Sequence, residues 1–172
     1  MESKTLYLNN NILFTFVRVD NIDLLNRQFN KIVTTPKTYN DLCRSIKMEK
    51  RLKPLVENKI IQLKDIKVYS EEFKVFMDLT SSKYVSDNEA MLMAMAKVNN
   101  GVILVEDPNE MKEYLDRFQI NYISLEDIFV NSIEKGIMGS EEAMELLLKI
   151  SASKTPISGE ILIKIKNRID DY

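Results

Sequence analysis

The chain of 172 residues has no histidine, a single cysteine and only four glycines. Without histidine, Ser-His and Cys-His catalysis and His-ligated zinc sites are excluded. Cys43 has no partner for an intrachain disulfide, which fits a reducing compartment, and we interpret it as a small buried side chain. The few glycines leave no Gly-rich phosphate-binding loop. Carboxylates, amides, Lys, Arg and Tyr remain, an inventory that suits oxygen-ligated Mg²⁺ or Mn²⁺.

Long apolar runs and a strong net charge are also missing. No run approaches the roughly 20 apolar residues that span a bilayer. The first five residues lack the pattern of a signal peptide, so we expect a cytoplasmic protein. A formal net charge of −2 argues against a strongly electrostatic nucleic-acid binder but allows a local basic patch. The length predicts one domain with a substantial apolar core.

The stretch that organises the sequence is the apolar run Gly101–Val105, which Glu106, Asp107 and Pro108 close abruptly. An apolar run of this length between turn signals predicts a strand buried on both faces, as in a parallel sheet. Ligands of open α/β sheets bind beyond the carboxyl ends of the strands. The two carboxylates are therefore expected at the working edge of the sheet.

The rest of the chain alternates strand and helix patterns. Further strands are predicted at residues 5–8, 31–35, 66–68 and 120–124, and the intervening segments have helical spacing. Pro54 is expected to open a helix over residues 55–63. This alternation predicts an α/β fold with a central parallel sheet of four to five strands and helices on both faces. Residues 1–136 form the predicted α/β domain, and residues 137–172 form its C-terminal helical extension.

Four polar positions are expected to approach the same edge. Asn9 follows the first strand, Asp41 lies on the helix after the second, Glu89 opens a helix and Asp107 ends the central strand. Strand C-termini and the N-termini of the following helices share one edge of a parallel sheet. Each residue also has a local explanation, which stays open at this point. Asn9 and Asp107 suit helix caps, Glu89 suits a capping box with Ser86, and Asp41 suits an exposed helix surface.

A second candidate site is basic. Lys47, Lys50, Arg51 and Lys53 fall within seven residues, and Glu49 is the one acid among them. Such a segment is either a solvated helix end or a patch that contacts the phosphates of a nucleic acid. The sequence leaves both interpretations open.

Four segments resemble, in order, the motifs of the PIN-domain family of metal-dependent nucleases, which includes VapC-like toxins of toxin–antitoxin pairs. They are residues 8–13, 35–42, 86–94 and 104–107. Residues 157–160 and the tail helices resemble a VapC-like subfamily of predicted nucleic-acid-binding proteins with a two-helix C-terminal tail. The resemblance implies a PIN-like fold in which Asp41, Glu89 and Asp107 bind Mg²⁺ or Mn²⁺ and cleave RNA. It also implies a homodimer.

The sequence departs from the family at its first acidic residue, which Asn9 replaces. Loss of one formal charge should weaken metal binding by about a few kcal/mol. We therefore expect a degenerate PIN domain that binds nucleic acid or a protein partner, with weak or no nuclease activity and without a required cofactor. One alternative is an active Mg²⁺- or Mn²⁺-dependent endoribonuclease, the toxin of a VapBC-like pair with its antitoxin as partner. Another is a non-catalytic assembly subunit.

Overall fold

The computed structural model describes residues 4–81 and 84–172, and a single parallel sheet of five strands runs through this part of the chain. The strands are β1 (Thr5–Tyr7), β2 (Lys31–Thr34), β3 (Ile61–Leu63), β4 (Val102–Val105) and β5 (Tyr122–Ser124). They lie in the order β3-β2-β1-β4-β5. Tyr7 of β1 is in register with Val33 of β2 and with Ile103 of β4. β1 is therefore the central strand, and β2 and β4 are its neighbours.

Helices connect the strands, and ten α-helices fall within the described residues. They are α1 (Asn10–Arg18), α2 (Ile22–Gln28), α3 (Pro36–Leu42), α4 (Ile46–Glu57), α5 (Glu71–Thr80), α6 (Asp87–Val98), α7 (Lys112–Arg117), α8 (Leu125–Glu134), α9 (Ser140–Ala152) and α10 (Gly159–Asp170). A 3₁₀ turn, Pro108–Glu110, precedes α7. In these ranges no helix is both long enough and apolar enough to cross a membrane.

Both faces of the sheet are buried, because successive side chains of a strand point to opposite faces. Leu6 of β1 and Leu104 of β4 belong to one apolar core, with residues of α1, α2, α4 and α8. Tyr7 and Ile103 belong to a second core, with residues of α5, α6 and α7. The predicted α/β fold with helices on both faces and a helical C-terminal tail is confirmed, with five strands.

The last two helices pack on the rest of the molecule through the larger core. Ile150 of α9 and Ile165 of α10 are fully buried there, together with Phe129 of α8. α10 contacts both α8 and α9. This packing places the N-terminal half of α10 beside the carboxyl edge of the sheet.

Two predicted elements differ from the structure. The third strand is Ile61–Leu63, whereas the predicted strand at residues 66–68 is irregular. α4 continues through Pro54 to Glu57, so no separate helix covers residues 55–63. Proline removes one helical hydrogen bond, and the affected part of α4 is exposed to water, which can satisfy the carbonyl group that remains.

One glycine is required by packing at the start of β4. A Cβ atom on Gly101 would lie 2.9 Å from the carbonyl oxygen of Thr5 and would overlap the ring of Tyr7. A clash with backbone cannot be relieved by a rotamer change. Gly101 therefore lets the start of β4 approach β1 closely.

Candidate functional site

Two adjoining clefts open at the carboxyl edge of the sheet. The larger, of about 500 Å³, is lined by Asn9, Glu89, Glu106 and Asp107 together with residues of α10. The second, of about 470 Å³, shares Asn9 and Glu89 with the first and is also lined by Asp41. The structure thus brings three of the four predicted site residues into one cleft, and the fourth, Asp41, lies in the neighbouring cleft.

Asn9 occupies the turn between β1 and α1, where it is the N-cap of the helix. Its Oδ1 atom accepts a hydrogen bond from the backbone N–H of Ile12 at 3.0 Å. Asn11, two residues further along the chain, donates from Nδ2 to Oε1 of Glu106 at 2.9 Å. The start of α1 and the end of β4 are therefore joined by a direct hydrogen bond at the mouth of the cleft.

The two acids that end β4 have different surroundings. Burial raises the pKa of Glu106, the hydrogen bond from Asn11 opposes that rise, and the charges of Glu110 and Glu89 add to it. Asp107 is the N-cap of the 3₁₀ turn and accepts from the backbone N–H of Asn109 at 3.0 Å. The capping role that the sequence left open for Asp107 is thus observed, and it leaves the side chain on the cleft surface.

Glu89 closes the predicted capping box at the start of α6. Its Oε2 atom accepts from the backbone N–H of Ser86 at 3.0 Å and from the Ser86 hydroxyl at 2.7 Å. Next to it, Asn88 bonds to the hydroxyl groups of Thr35 and Thr38 at the start of α3. Helices α3 and α6 are therefore fixed relative to each other at the carboxyl edge.

Asp41 is held by cations of its own helix and of the following turn. Lys37 Nζ lies 2.7 Å from Asp41 Oδ2, and Arg44 Nη2 lies 3.2 Å from Oδ1. The hydrogen bond from Lys37, with the charges of Lys37 and Arg44, lowers the pKa of Asp41. Both carboxylate oxygens are therefore paired within the protein.

Lys164, on α10, reaches the acidic edge from the C-terminal tail. Its Nζ atom lies 3.2 Å from Glu126 Oε2 and 4.0 Å from Asp107 Oδ1. Arg168, one turn along the same helix, binds the other oxygen of Glu126 at 3.1 Å. Sequence reasoning missed Lys164 and Glu126, because the only local signal is that Lys164 and Arg168 share a helix face.

Comparison with protein-family models gives one match, to a PIN-domain family, over residues 6–171. The chain belongs to the PIN-domain family. No curated protein and no solved structure matches it. Membership indicates a nuclease-like, nucleic-acid-related function, and PIN domains typically depend on divalent metal ions. The predicted family is therefore confirmed, while the VapC-like subfamily stays a prediction.

The acids at the carboxyl edge of this PIN domain are not gathered into a compact cluster in the part of the chain that the structure describes. Mg²⁺ is bound in octahedral geometry by one or two carboxylates together with water molecules or phosphate groups. Throughout residues 4–81 and 84–172, no group of three or more Asp, Glu or Cys side chains lies close enough to hold a metal ion. Asp41 is paired with Lys37 and Arg44, and the ammonium group of Lys164 lies beside Asp107.

The predicted basic residues lie on α4, away from both acidic clefts. Arg51 donates from Nη1 to the backbone oxygens of Val17 and Arg18 at 3.3 and 2.7 Å, at the end of α1. Lys53 is paired with Glu57 at 4.0 Å. Lys47 and Lys50 are exposed and line a third cleft with Arg18. The four residues therefore divide into two that are engaged within the protein and two that face solvent.

Proposed function

We propose that this PIN-domain protein binds RNA without cleaving it. The observation that carries the proposal is that the protein's own donors already bind the carboxylates of the carboxyl edge. Lys37 and Arg44 hold Asp41, Ser86 holds Glu89, and Lys164 lies beside Asp107. A carboxylate that is paired internally has less to gain from a metal ion, because binding must first replace the existing partner.

The substitution at Asn9 supports the same function. Its amide oxygen is neutral and caps α1, so the edge lacks the formal charge that an acid would supply there. Mg²⁺ is a hard cation that prefers carboxylates. The loss of charge and the internal pairing therefore act in the same direction, against metal binding and against hydrolysis.

An active endoribonuclease is the second candidate. It is favoured by the larger cleft, in which Asn9, Glu89, Glu106 and Asp107 all lie. Oxygen ligands from this set would have to move closer together to enclose a metal ion. The toxin of a toxin–antitoxin pair would be the biological form of this alternative.

The test compares native protein with Asn9→Asp and Asp107→Asn. Mn²⁺ binding is measured by calorimetry, and cleavage is measured on a labelled single-stranded RNA. We expect native protein to bind the RNA and leave it intact, and Asn9→Asp to bind Mn²⁺ at least about tenfold more tightly, because it restores one anionic ligand. Aspartate is as good an N-cap as asparagine, so the fold is expected to persist.

Asn21→Asp is the matched control, since it adds the same charge at the cap of α2. It should leave Mn²⁺ binding unchanged. Cleavage by native protein that disappears in Asp107→Asn would establish the nuclease instead. Failure of native protein to bind RNA would also overturn the proposed function.

A further inference from the structure

A cleft of about 270 Å³ lies between the end of α1 and the beginning of α4. The charged side chains that line it are Arg18, Lys47, Lys50 and Arg51, and no carboxylate lines it. Phe14, Ser45 and Met48 complete its surface. In a chain whose acids outnumber its bases by 26 to 24, this cleft concentrates positive charge at one place.

None of the four cations forms an ion pair with a carboxylate in the described residues, and Arg51 is the one that binds backbone carbonyl groups of α1. Within residues 4–81 and 84–172, Arg18, Lys47 and Lys50 form no ion pair with a carboxylate. Several lysines elsewhere on helices are paired with an acid four residues on, as Lys37 is with Asp41, although exposed lysines such as Lys74 and Lys149 form no ion pair within the described residues.

Lys50 and Arg51 also line a neighbouring cleft with Asp20 and Asp23, and these two acids reduce the positive charge on that side. An anion that binds in the basic cleft nevertheless has no ion pair of the described residues to displace.

The fourth cation, Arg51, connects the two helices that form the cleft. Its bonds to the carbonyl oxygens of Val17 and Arg18 join α4 to the end of α1, where a cation also suits the helix dipole. Met48 and Leu52 of α4 are buried in the core beneath. The positions of Lys47 and Lys50 relative to Arg18 are thus set by two packed helices.

The lysines are unfavourably placed for helix stability alone. Lys47 lies in the first turn of α4, where the helix dipole disfavours a cation. Lys50 is three residues on and Arg51 four, so both are like-charged neighbours of Lys47 on the helix surface. Arg51 offsets part of this repulsion through its hydrogen bonds to the end of α1. Lys47 and Lys50 form no ion pair in the described residues, and a bound anion would relieve their repulsion.

We propose that Arg18, Lys47 and Lys50 form a binding cleft for the phosphate groups of an RNA backbone. This inference rests on the proposed function and assigns it to a surface. The cations are exposed and spread over two helices, so they suit successive phosphates of a chain, whose contacts add up through counterion release. α1 has nine residues and spans about 13 Å, so the cleft lies at the edge of the sheet opposite Asn9. RNA bound there does not enter the acidic clefts.

The test measures binding of a fluorescein-labelled 15-nucleotide oligouridylate by fluorescence anisotropy over a range of salt concentrations. The variant is Lys47→Gln with Lys50→Gln, and the matched control is Lys74→Gln with Lys149→Gln, two exposed lysines on α5 and α9. Loss of two phosphate contacts should make the negative slope of the log of the association constant against log salt less steep by about 1.4. It should weaken binding about 25-fold at 0.1 M salt. The control pair should leave both quantities unchanged.

Separate outcomes would overturn this inference and the proposed function. If native protein does not bind the oligonucleotide, the proposed function fails and the inference fails with it. If native protein binds but the test pair behaves as native, or if both pairs weaken binding equally, only the assignment to this cleft is wrong. Competition with uridine monophosphate tests whether the cleft binds a single phosphate group or the successive phosphates of an RNA chain. Binding of the mononucleotide as tight as that of the oligonucleotide would overturn an RNA-backbone site.

Discussion

The charged side chains near the two ends of α1 differ in whether they form ion pairs within the protein. At its N-terminal end, acids of the carboxyl edge are paired with cations of the protein, as Asp41 is with Lys37 and Asp107 is with Lys164. At its C-terminal end, Lys47 and Lys50 line a cleft that contains no acid. Within the described residues, two acids of the carboxyl edge thus have cationic partners and Glu89 and Glu106 have neutral ones, whereas Lys47 and Lys50 form no ion pair with a carboxylate.

This difference bears on which surface of the protein binds a ligand. The family match covers the carboxyl edge, where two acids follow β4 and Asn9 follows β1. Internal ion pairs lower the gain that an external ligand can obtain from the same groups. Charges without internal partners keep their full attraction for an external ion. The comparison therefore favours the basic end as the surface on which this protein meets its ligand.

Arg51→Ala has the largest expected effect of these predictions. It tests whether one of the cations at the C-terminal end of α1 has a structural role. The substitution removes both hydrogen bonds to the last carbonyls of α1. Charge-assisted hydrogen bonds of this kind are worth about 2 kcal/mol, so the free energy of unfolding should fall by about that amount. Chemical denaturation measures the change.

Lys50→Ala is the control for Arg51→Ala, because it removes a neighbouring cation that makes no ion pair within the described residues. Its effect on stability should stay within about 0.5 kcal/mol. Equal destabilisation by the two substitutions would remove the distinction between a structural Arg51 and a ligand-binding Lys50.

Lys164→Met sharpens the comparison at the acidic end, in a protein that already carries Asn9→Asp. The ammonium group lies 4.0 Å from Asp107, and an exposed charge pair at that distance is worth about 1 kcal/mol. Its removal should strengthen Mn²⁺ binding about fivefold by calorimetry. Lys166→Met, on the same helix but paired with Asp170, should change nothing. An unchanged affinity in both variants would show that Lys164 does not compete with the metal.

Local interactions explain what could be predicted from the sequence. The cap at Thr35 and the capping box of Ser86 with Glu89 involve residues three apart, so their residue types predict them. The strand β4 was predictable because an unbroken apolar run between turn residues leaves few alternatives. These elements predict that Asn9 and Asp107 share one edge of the sheet.

The features that could not be predicted depend on contacts between distant segments. The third strand is Ile61–Leu63 because those residues pair with β2, and a run of three residues carries too weak a pattern to reveal that choice. Lys164 meets Asp107 only because α10 packs on α8 and α9. Nothing in the spacing of the two residues, 57 apart in the sequence, predicts the pair.

Glu106→Gln is the prediction with the smallest expected effect. It tests whether the acids of the carboxyl edge differ from one another in their effect on stability. Burial raises the folded-state pKa of Glu106, so the native protein holds its proton more tightly than the unfolded chain does. The native stability therefore falls as the pH rises from about 4.3 through the raised pKa. Glutamine keeps an oxygen for Asn11 without the charge, so at pH 7 it should add about 0.5 kcal/mol, a gain that disappears below about pH 4.

Asp41→Asn should show the opposite sign in the same denaturation series. Its cationic neighbours lower the folded-state pKa, so its contribution is present above the unfolded-state value of about 3.9 and is lost as the pH falls through the lowered pKa. The asparagine variant should therefore be less stable than native protein at pH 7 and should approach it in acid. Asp41→Asn and Glu106→Gln could instead shift the free energy of unfolding in the same direction at pH 7. In that case the total charge of the carboxyl edge would determine stability, and the internal ion pair of Asp41 would not distinguish it from Glu106.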